Sequence, residues 1–423
     1  MAVNKSSSIL VVGAGTFGLS TAWQLAKEGY KSITVIDKHE APSIASAGHD
    51  LNKVFRTQYS NPLYARLAVE ARDAWIASPL LKPAYHESGY IFAVSGESQA
   101  SIDDWQQACD NSRALGAEMV ELKTKEEYLA KAPFMQGEMK DWKAVYIPGA
   151  GWTHAEMALT ALTAECHRLG VRFISGADGA AASLLYSNDG KEVVGVKAES
   201  GKEHRASQTI LCMGAWLSRV LDVEGMISAK AWCLVHIDLT EEEAALWADG
   251  PVINNRVLGY MFEPDAKNRK LKVAPQLPGY THYTSPTLSY PRSKAEHPTD
   301  GIPSEAQALI RKFLAESVPS LAQRPFSFER LCWDAETPDA HLIISKHPTP
   351  GLLVAGGGSA HAFKFLPILG KYVQQTLEGS LDKELAKAWA WGPRQAVPNT
   401  SLNISVPTKD LSESKGWKHE ERL

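Results

Sequence analysis

Apolar positions near the start of the chain fall in short continuous runs separated by one helical stretch. Ser8-Ile9-Leu10-Val11-Val12 is unbroken by polar residues, as in a parallel strand buried on both faces. Leu19, Ala22, Trp23, Leu25 and Ala26 then recur near helical spacing up to Glu28, and Gly29 stops the pattern. Ser32-Ile33-Thr34-Val35-Ile36 is a second run, ending at Asp37. Strand, helix and strand make a βαβ unit of about 30 residues. Further on, the pattern predicts helices over 61–80 and 155–169 and a strand at Val171-Arg172-Phe173-Ile174. Gln208 to Met213 reads as a strand ended by Gly214-Ala215, and Leu352 to Ala355 as one that runs into Gly356-Gly357-Gly358. Between these, residues 228–290 alternate β-rich patches with Pro and Gly turns, which suits an antiparallel sheet. No internal repeat is visible. From Pro393 the chain turns polar and is expected to wrap the surface or fray.

Strand-to-glycine turns thus recur near residues 13, 214 and 356, far apart in sequence. The expected fold is α/β, with a Rossmann-type nucleotide domain assembled from 1–80, 150–222 and 325–392. A substrate domain of α+β type, 81–149 and 223–324, is inserted on a mixed, largely antiparallel sheet. Residues 393–423 are left as a surface tail.

Composition narrows the class. Forty-four Lys and Arg stand against 48 Asp and Glu, a net charge of −4, without the basic excess of a general nucleic-acid binder. No apolar run reaches the ~18 residues of a membrane span. The opening residues lack the apolar stretch of a signal peptide, so the expectation is an intracellular protein. The five cysteines (109, 166, 212, 233 and 332) are scattered without a CxxC, which argues against a disulfide framework or a zinc site.

Gly13-Ala14-Gly15-Thr16-Phe17-Gly18 sits between the first strand and the first helix, where a phosphate loop belongs. Gly13 permits the tight turn, Gly15 the close approach of a pyrophosphate, and Gly18 the packing of helix on strand. The helix N-terminus offers N–H groups and partial positive charge to the phosphates, and Asp37 is placed to accept from a ribose hydroxyl. NAD and FAD share this fingerprint. FAD is favoured by the N-terminal position of the loop and by the later strand ending at Met213-Gly214-Ala215-Trp216. Lys38 and His39, then the Ser- and Gly-rich stretch from Ser43 through Ser46 to Gly48, suit a path along a ribityl chain.

With these motifs in place, the sequence resembles the monomeric sarcosine oxidase family of flavoproteins. Within it the chain resembles the fungal branch of fructosyl amino acid oxidases and saccharopine or pipecolate oxidases. The resemblance spans nearly the whole chain. It rests on Val11 to Gly18, Ala47 to Val54, Gly151-Trp152, Leu211 to Trp216, Leu331-Cys332-Trp333, His361 to Phe365 and Gly416-Trp417-Lys418-His419. It implies an FAD-dependent oxidase that takes a hydride from a carbon beside a secondary amine onto flavin N5. The imine is hydrolysed and O2 becomes hydrogen peroxide. Cys332 matches the cysteine that tethers the flavin 8α-methyl through a thioether. Lys272 matches the lysine that helps O2 accept its first electron, as a fixed charge can; Lys270, two residues away on the same strand face, stays open as the alternative. Lys53 matches a basic residue over the flavin face. Arg56 and Lys364 match the pair that grips a substrate carboxylate, a planar fork beside a point charge. A solvated cation is the competing reading for each, and Lys364, within the small and apolar run Ala360 to Leu366, escapes it best. Tyr260 is a candidate pocket wall. His361 stands either against the flavin or as a structural imidazole. Gly357 and Gly358 let the backbone approach the ring.

The substrate reading rests on two departures from the fructosyl branch. Gln276 stands where that branch carries Glu, four residues after the oxygen-activating lysine, and Arg56 is present where that branch often lacks it. Both favour a site organised around an α-carboxylate: N-methyl amino acids, pipecolate or saccharopine-like conjugates. The stretch Asp50-Leu51-Asn52-Lys53 and the tail pull toward fructosyl amino acids, the alternative. A nicotinamide-dependent dehydrogenase and a flavin-binding protein without turnover are the other classes. The expected partners are a small amino acid and O2, with no nucleic acid or membrane, acting on a monomer in cytosol or peroxisome. The terminal Glu421-Arg422-Leu423 is a poor peroxisomal signal.

Overall fold

The fold is taken from a computed structural model that describes residues 3–96, 98–276, 279–395, 408–417 and 419. Lys418 and the terminal tripeptide lie outside the described residues, as does much of the polar tail.

The apolar runs become the centre of a six-stranded sheet. Its order is Ile343–Lys346, Leu352–Gly356, Gln208–Leu211, Ser8–Val12, Ser32–Ile36 and Arg172–Ile174. All neighbours are parallel except the first pair. Strands buried on both faces explain why this sheet shows in sequence as continuous hydrophobic stretches. The helices Thr16–Lys27, Ala155–Arg168 and Leu366–Glu378 cover one face, and their buried residues join one large apolar cluster with Val11, Val35 and Leu353. Thr16–Lys27 and Leu366–Glu378 pack closely because Gly370 lies over Ser20. The Ser20 hydroxyl donates to the Leu366 carbonyl at 2.6 Å and accepts from the Gly370 N–H at 2.8 Å.

A ten-stranded sheet forms the second half. Its long central strand, Ser228–Asp238, pairs antiparallel with Lys270–Pro275 on one side and with Phe328–Glu336 on the other. Tyr90–Val94 and Val252–Asn255 pair in parallel, so the sheet is mixed. Helix Ser304–Ser317 packs its Ile310, Phe313 and Leu314 onto this sheet, in a separate apolar cluster. The molecule is therefore an α/β protein with a Rossmann-type half and a mixed, largely antiparallel second half.

Two segments sit elsewhere than the sequence pattern suggested. Phe328–Glu336, just past the boundary drawn at 325, pairs along its whole length with Ser228–Asp238 and so belongs to the second sheet. The chain reaches the first sheet only after this strand, at Ile343–Lys346. Part of the expected surface tail is structural as well: Thr408–Asp410 adds an edge strand beside Gly279–Thr281, and Leu411 beneath it is 1% exposed. One buried leucine after a polar run is too weak a signal to predict a strand.

Glycine to alanine in a helix interior normally stabilises by about 0.5–1 kcal/mol. Gly370→Ala should do the reverse, because the added methyl meets the Ser20 carbonyl and lies 2.6 Å from the Gln24 Cβ. Overpacking of this kind costs about 1–3 kcal/mol. A lowered midpoint of thermal unfolding is expected, and an unchanged or raised midpoint would show that the two helices yield.

Candidate active site

One continuous cavity runs from the C-terminal ends of the first sheet's strands to the face of the second sheet. Its near end is the glycine loop. Gly13 has φ +111° and its absent Cβ faces the Cys212 carbonyl. Gly18 lies directly against the Gly13 carbonyl, which lets the helix start on top of the strand. At Gly15 a Cβ would sit 2.6 Å from the Ser46 hydroxyl, and at Gly48 it would meet Thr16 Oγ1. The loop and the Ser46–Gly48 stretch are thus backbone walls facing one channel, and a Gly48 N–H to Ser46 Oγ bond of 3.0 Å tightens the second of them. Asp37 closes this end. Its carboxylate accepts from the Ala14 N–H, the His39 N–H and the Ser43 hydroxyl, each at 2.8 Å. Lys38 pairs with Glu296, so the second half reaches over the mouth.

Further along, Gly214, Trp216 and Gly358 line the wall, with Thr16 and Phe17 opposite. Gly357 does not reach it: with φ +67° it turns the chain behind the wall, against Thr337. Gly358 is the close approach, its absent Cβ 2.8 Å from Asp334 Oδ1. Asp334 Oδ2 also accepts from the Ala360 N–H at 2.6 Å, and burial raises this carboxyl above the usual range. That bond anchors Ser359 and Ala360, both held at positive φ.

The far end holds the charged groups. Lys272 is 1% exposed, and its Nζ lies 2.5 Å from Asp50 Oδ2 and 2.7 Å from the Asn52 carbonyl. Lys53 Nζ lies 2.8 Å from the same Asp50 oxygen and 3.9 Å from Cys332 Sγ. Burial lowers Lys272 to about 8, with Asp50 opposing. Burial works against the ionised Asp50 too, but Lys272, Lys53 and Arg330 outweigh it and hold the carboxyl well below the usual range. Lys53 is likewise desolvated, and Asp50 more than compensates, holding it above the ordinary lysine range. Lys270, the alternative to Lys272, pairs with Asp238 at 2.6 Å on the exterior and does not line the cavity.

A second group of cations lies across the cavity. Lys364 Nζ donates to the Tyr59 hydroxyl at 2.7 Å and to the His361 carbonyl at 2.9 Å, so both acceptors are uncharged. The Arg56 guanidinium stands 4.6 Å from the Tyr59 ring centre. Burial, and then Arg56, push Lys364 well below the usual lysine range. His361 has both ring nitrogens engaged, Nδ1 with the Tyr59 hydroxyl at 3.3 Å and Nε2 with the Ala340 carbonyl at 3.0 Å. It lines the cavity yet is built into an aromatic knot with Tyr59, Tyr64 and Phe365. Tyr260 and Gln276 complete the wall between the two cation groups. Three residues here had no assigned role in the sequence: Asp50, Arg256 and Asp334. Arg256 lines the same corner and pairs with Asp104 at 3.3 Å. Only the fold brings these groups to the cavity; Asp50, inside a quoted motif, was the one within reach.

Residues 8–376 match the family described as FAD dependent oxidoreductase, here abbreviated DAO. The chain belongs to this family. It is 31% identical over 405 residues to L-saccharopine oxidase of Schizosaccharomyces pombe, covering 91% of this chain and 93% of that protein. With monomeric sarcosine oxidase of a Bacillus species it shares 25% identity over 385 residues, 87% of this chain and 92% of that one. Among solved structures it superposes on the fructosamine oxidase Amadoriase II of Aspergillus fumigatus with a TM-score of 0.89 at 36% identity, covering 100% and 99% of the two chains. Fructosyl peptide oxidase from E. terrenum gives 0.91 at 35% identity, covering 99% of each.

As an FAD-dependent oxidoreductase, this flavoenzyme has a channel whose residues fit the cofactor. Four glycines lie where a side chain would intrude on the loop or its facing wall, the helix N-terminus points at the loop, and a carboxylate ends the second strand. No metal-holding cluster of His, Cys, Asp and Glu exists among the described residues, and none of their helices is long and apolar enough to cross a membrane.

The wall is backed by a second buried carboxyl. Trp232 lines the cavity, and its Nε1 donates to Glu336 at 3.0 Å. Burial pushes Glu336 up to about 7, with Lys230 opposing. A carboxyl raised by folding stabilises fully below its unfolded pKa, about 4.3, and that contribution is lost as pH rises through about 7. Glu336→Gln keeps an acceptor for Trp232 and removes the titration. The variant should be the more stable protein at mildly alkaline pH and should lose the decline across this window, read by denaturant unfolding at several pH values.

Proposed function

We propose that the protein is an oxidase of secondary-amine α-amino acids, N-substituted or cyclic, that produces hydrogen peroxide. The observation that carries this reading is the pairing of Arg56 and Lys364 around Tyr59 at one end of the cavity, with Lys53 and Lys272 at the other. The first pair suits a carboxylate: Arg56 supplies a planar fork, and Lys364, depressed by burial and by Arg56 and bonded only to neutral groups, regains its proton as a carboxylate docks beside it. Bound FAD supplies the two-electron acceptor that takes a hydride from the carbon beside nitrogen and passes the electrons to O2.

The protein's own groups do the rest. Arg56 and Lys364 orient the substrate so that its amine faces the middle of the cavity. Their charge lowers the ammonium pKa of the bound substrate, and a free nitrogen lone pair is what oxidation needs. Tyr260 and Gln276 line the space beside it and exclude water. Lys272, a buried cation, favours negative charge arriving on O2. Cys332, its thiol 3.9 Å from the Lys53 ammonium, would hold the flavin through a thioether at the 8α-methyl; forming that bond would remove one hydrogen from the thiol and one from the methyl, and the two electrons would reduce the flavin and pass on to O2. Residues 1–80, 150–222 and 325–392, Cys332 among them, carry the cofactor, and 81–149 with 223–324 shape the substrate side. The protein acts as a monomer, in cytosol or peroxisome.

A second reading is oxidation of fructosyl amino acids. The likeness to Amadoriase II over the full chain favours it. Peroxide production on sarcosine, pipecolate, saccharopine and fructosyl-valine separates the two. Turnover of the carboxylate-bearing secondary amines is expected to exceed that of fructosyl-valine, and Arg56→Ala should raise their KM about tenfold or more, the weight of a charged hydrogen bond. Faster turnover of fructosyl-valine, with KM indifferent to Arg56, would transfer the assignment to the second reading. Acid precipitation tests the tether: the yellow chromophore should stay with the protein pellet, and Cys332→Ala should release it to the supernatant. Full release from the unaltered protein would exclude the tether.

A further inference from the structure

Asp50 presents one carboxylate oxygen to two ammonium groups. Lys53 Nζ and Lys272 Nζ reach the same Oδ2, at 2.8 and 2.5 Å, and all three residues line the cavity. Asp50 is 6% exposed and sits in the loop that leaves the first half, whereas Lys272 belongs to Lys270–Pro275 in the second sheet. Two cations and one anion leave a net single positive charge in this corner. Neither lysine could sit there unshared at low cost, since an unpaired buried ion forfeits its hydration with nothing in return.

We propose that Asp50 is a positioning residue that fixes the protonation of Lys272, and so sets the pH range over which the cavity offers a cation to O2. The inference rests on the oxidase reading of the site. The groups facing Lys272 can be named from every side. Asp50 and Lys53 lie on the loop and strand over it, His236 on the neighbouring strand Ser228–Asp238, and Cys332 and Arg330 on Phe328–Glu336; Tyr260 stands next to Lys53. His236 is buried and held to about 4, so it is neutral through the working range. Arg330 donates to the Ser46 carbonyl at 3.0 Å and to the His49 carbonyl, which ties its charge to the loop backbone. Cys332 hydrogen-bonds weakly to the Ala47 carbonyl at 3.8 Å. Asp50 is therefore the negative charge in contact with Lys272, and Lys53 is the nearest positive one.

The sign follows from this arrangement. The Asp50 carboxylate keeps Lys272 protonated against desolvation, and Lys53 opposes it. Removing Asp50 leaves two like charges with no shared counter-ion, so Lys272 gives up its proton at lower pH. The cavity then carries its cation only in more acid solution. The carboxylate corner at Arg56 and Lys364 is untouched, so substrate binding does not follow the same shift.

The test measures Lys272 directly. Heteronuclear NMR of the folded holoenzyme carrying 13Cε-labelled lysine, with the Lys272 signal assigned by its loss in Lys272→Met, follows this buried amine across pH without reagent access and without substrate. Lys272 is expected to titrate near 8 in the unaltered protein. In Asp50→Asn it should move acidward by about one pH unit or more. The alkaline limb of O2-dependent reoxidation should move with it, while KM for the amine substrate stays put. Asp50→Glu should restore most of both. An unmoved Lys272 titration in folded Asp50→Asn overturns the proposal. If Asp50→Asn yields no folded protein, Lys53→Met supplies the second arm: loss of the like charge should move Lys272 alkaline, and no movement overturns the shared-charge account. Because the titration needs no substrate, failure of the oxidase reading would show as absent peroxide with the lysine shifts intact.

Discussion

The contact between Asp50 and Lys272 joins the two halves of the molecule through a buried ion pair. Such a pair tolerates little slack: separation of its members leaves two uncompensated charges in a dry interior, which costs several kcal/mol. The loop after the first sheet and the strand Lys270–Pro275 are therefore held in register by electrostatics as well as by packing. The cavity exists between those two surfaces. The glycine loop is fixed to the first sheet by Gly13 N–H to Ile36 O at 2.8 Å, and Cys332 is fixed to the second by full pairing of its strand with Ser228–Asp238. Whatever spans the channel from Asp37 to Cys332 is measured by the distance the Asp50–Lys272 pair maintains.

The sequence was easiest to read where local pattern and global fold make the same demand. Ser8–Val12 and Ser32–Ile36 are buried on both faces, so their apolar runs are continuous, and the glycines between them have one geometric explanation. Lys272 was distinguishable from Lys270 only in structure. The two share a strand face, and what separates them is depth: one end of that face reaches solvent beside Asp238, the other faces the cavity. Periodicity encodes face and says nothing of depth.

Other features were hidden for a related reason. Phe328–Glu336 looks like any strand of alternating character, and nothing local says that its partner is Ser228–Asp238. Arg256 resembles a surface arginine until Tyr90–Val94 and Val252–Asn255 pair and bring it to the cavity beside Arg56. Nothing in the sequence marks Asp334, whose carboxylate holds the positive-φ turn at Ser359 and Ala360. Each role depends on a contact made across long sequence separation, and a side chain with such a contact carries no local mark of it. The motif resemblance reached Cys332, Lys364 and Lys53 because it transfers tertiary information that periodicity lacks.

On the proposed oxidase reading, the two ends of the cavity place opposite demands on protons, and the fold keeps them apart. An amine substrate must lose a proton before its lone pair is available, which favours alkaline solution. A cation that assists O2 must keep its proton, which favours acid. If one lysine served both ends, each demand would defeat the other. Here Lys364 is buried beside Arg56; desolvation first and that like charge second depress its basicity, and the charge would depress that of a bound ammonium too. Lys272 sits with Asp50, whose opposite charge sustains it. Two lysines of the same intrinsic chemistry are thus given different proton affinities by their neighbours, which is the separation that the proposed oxidase chemistry calls for.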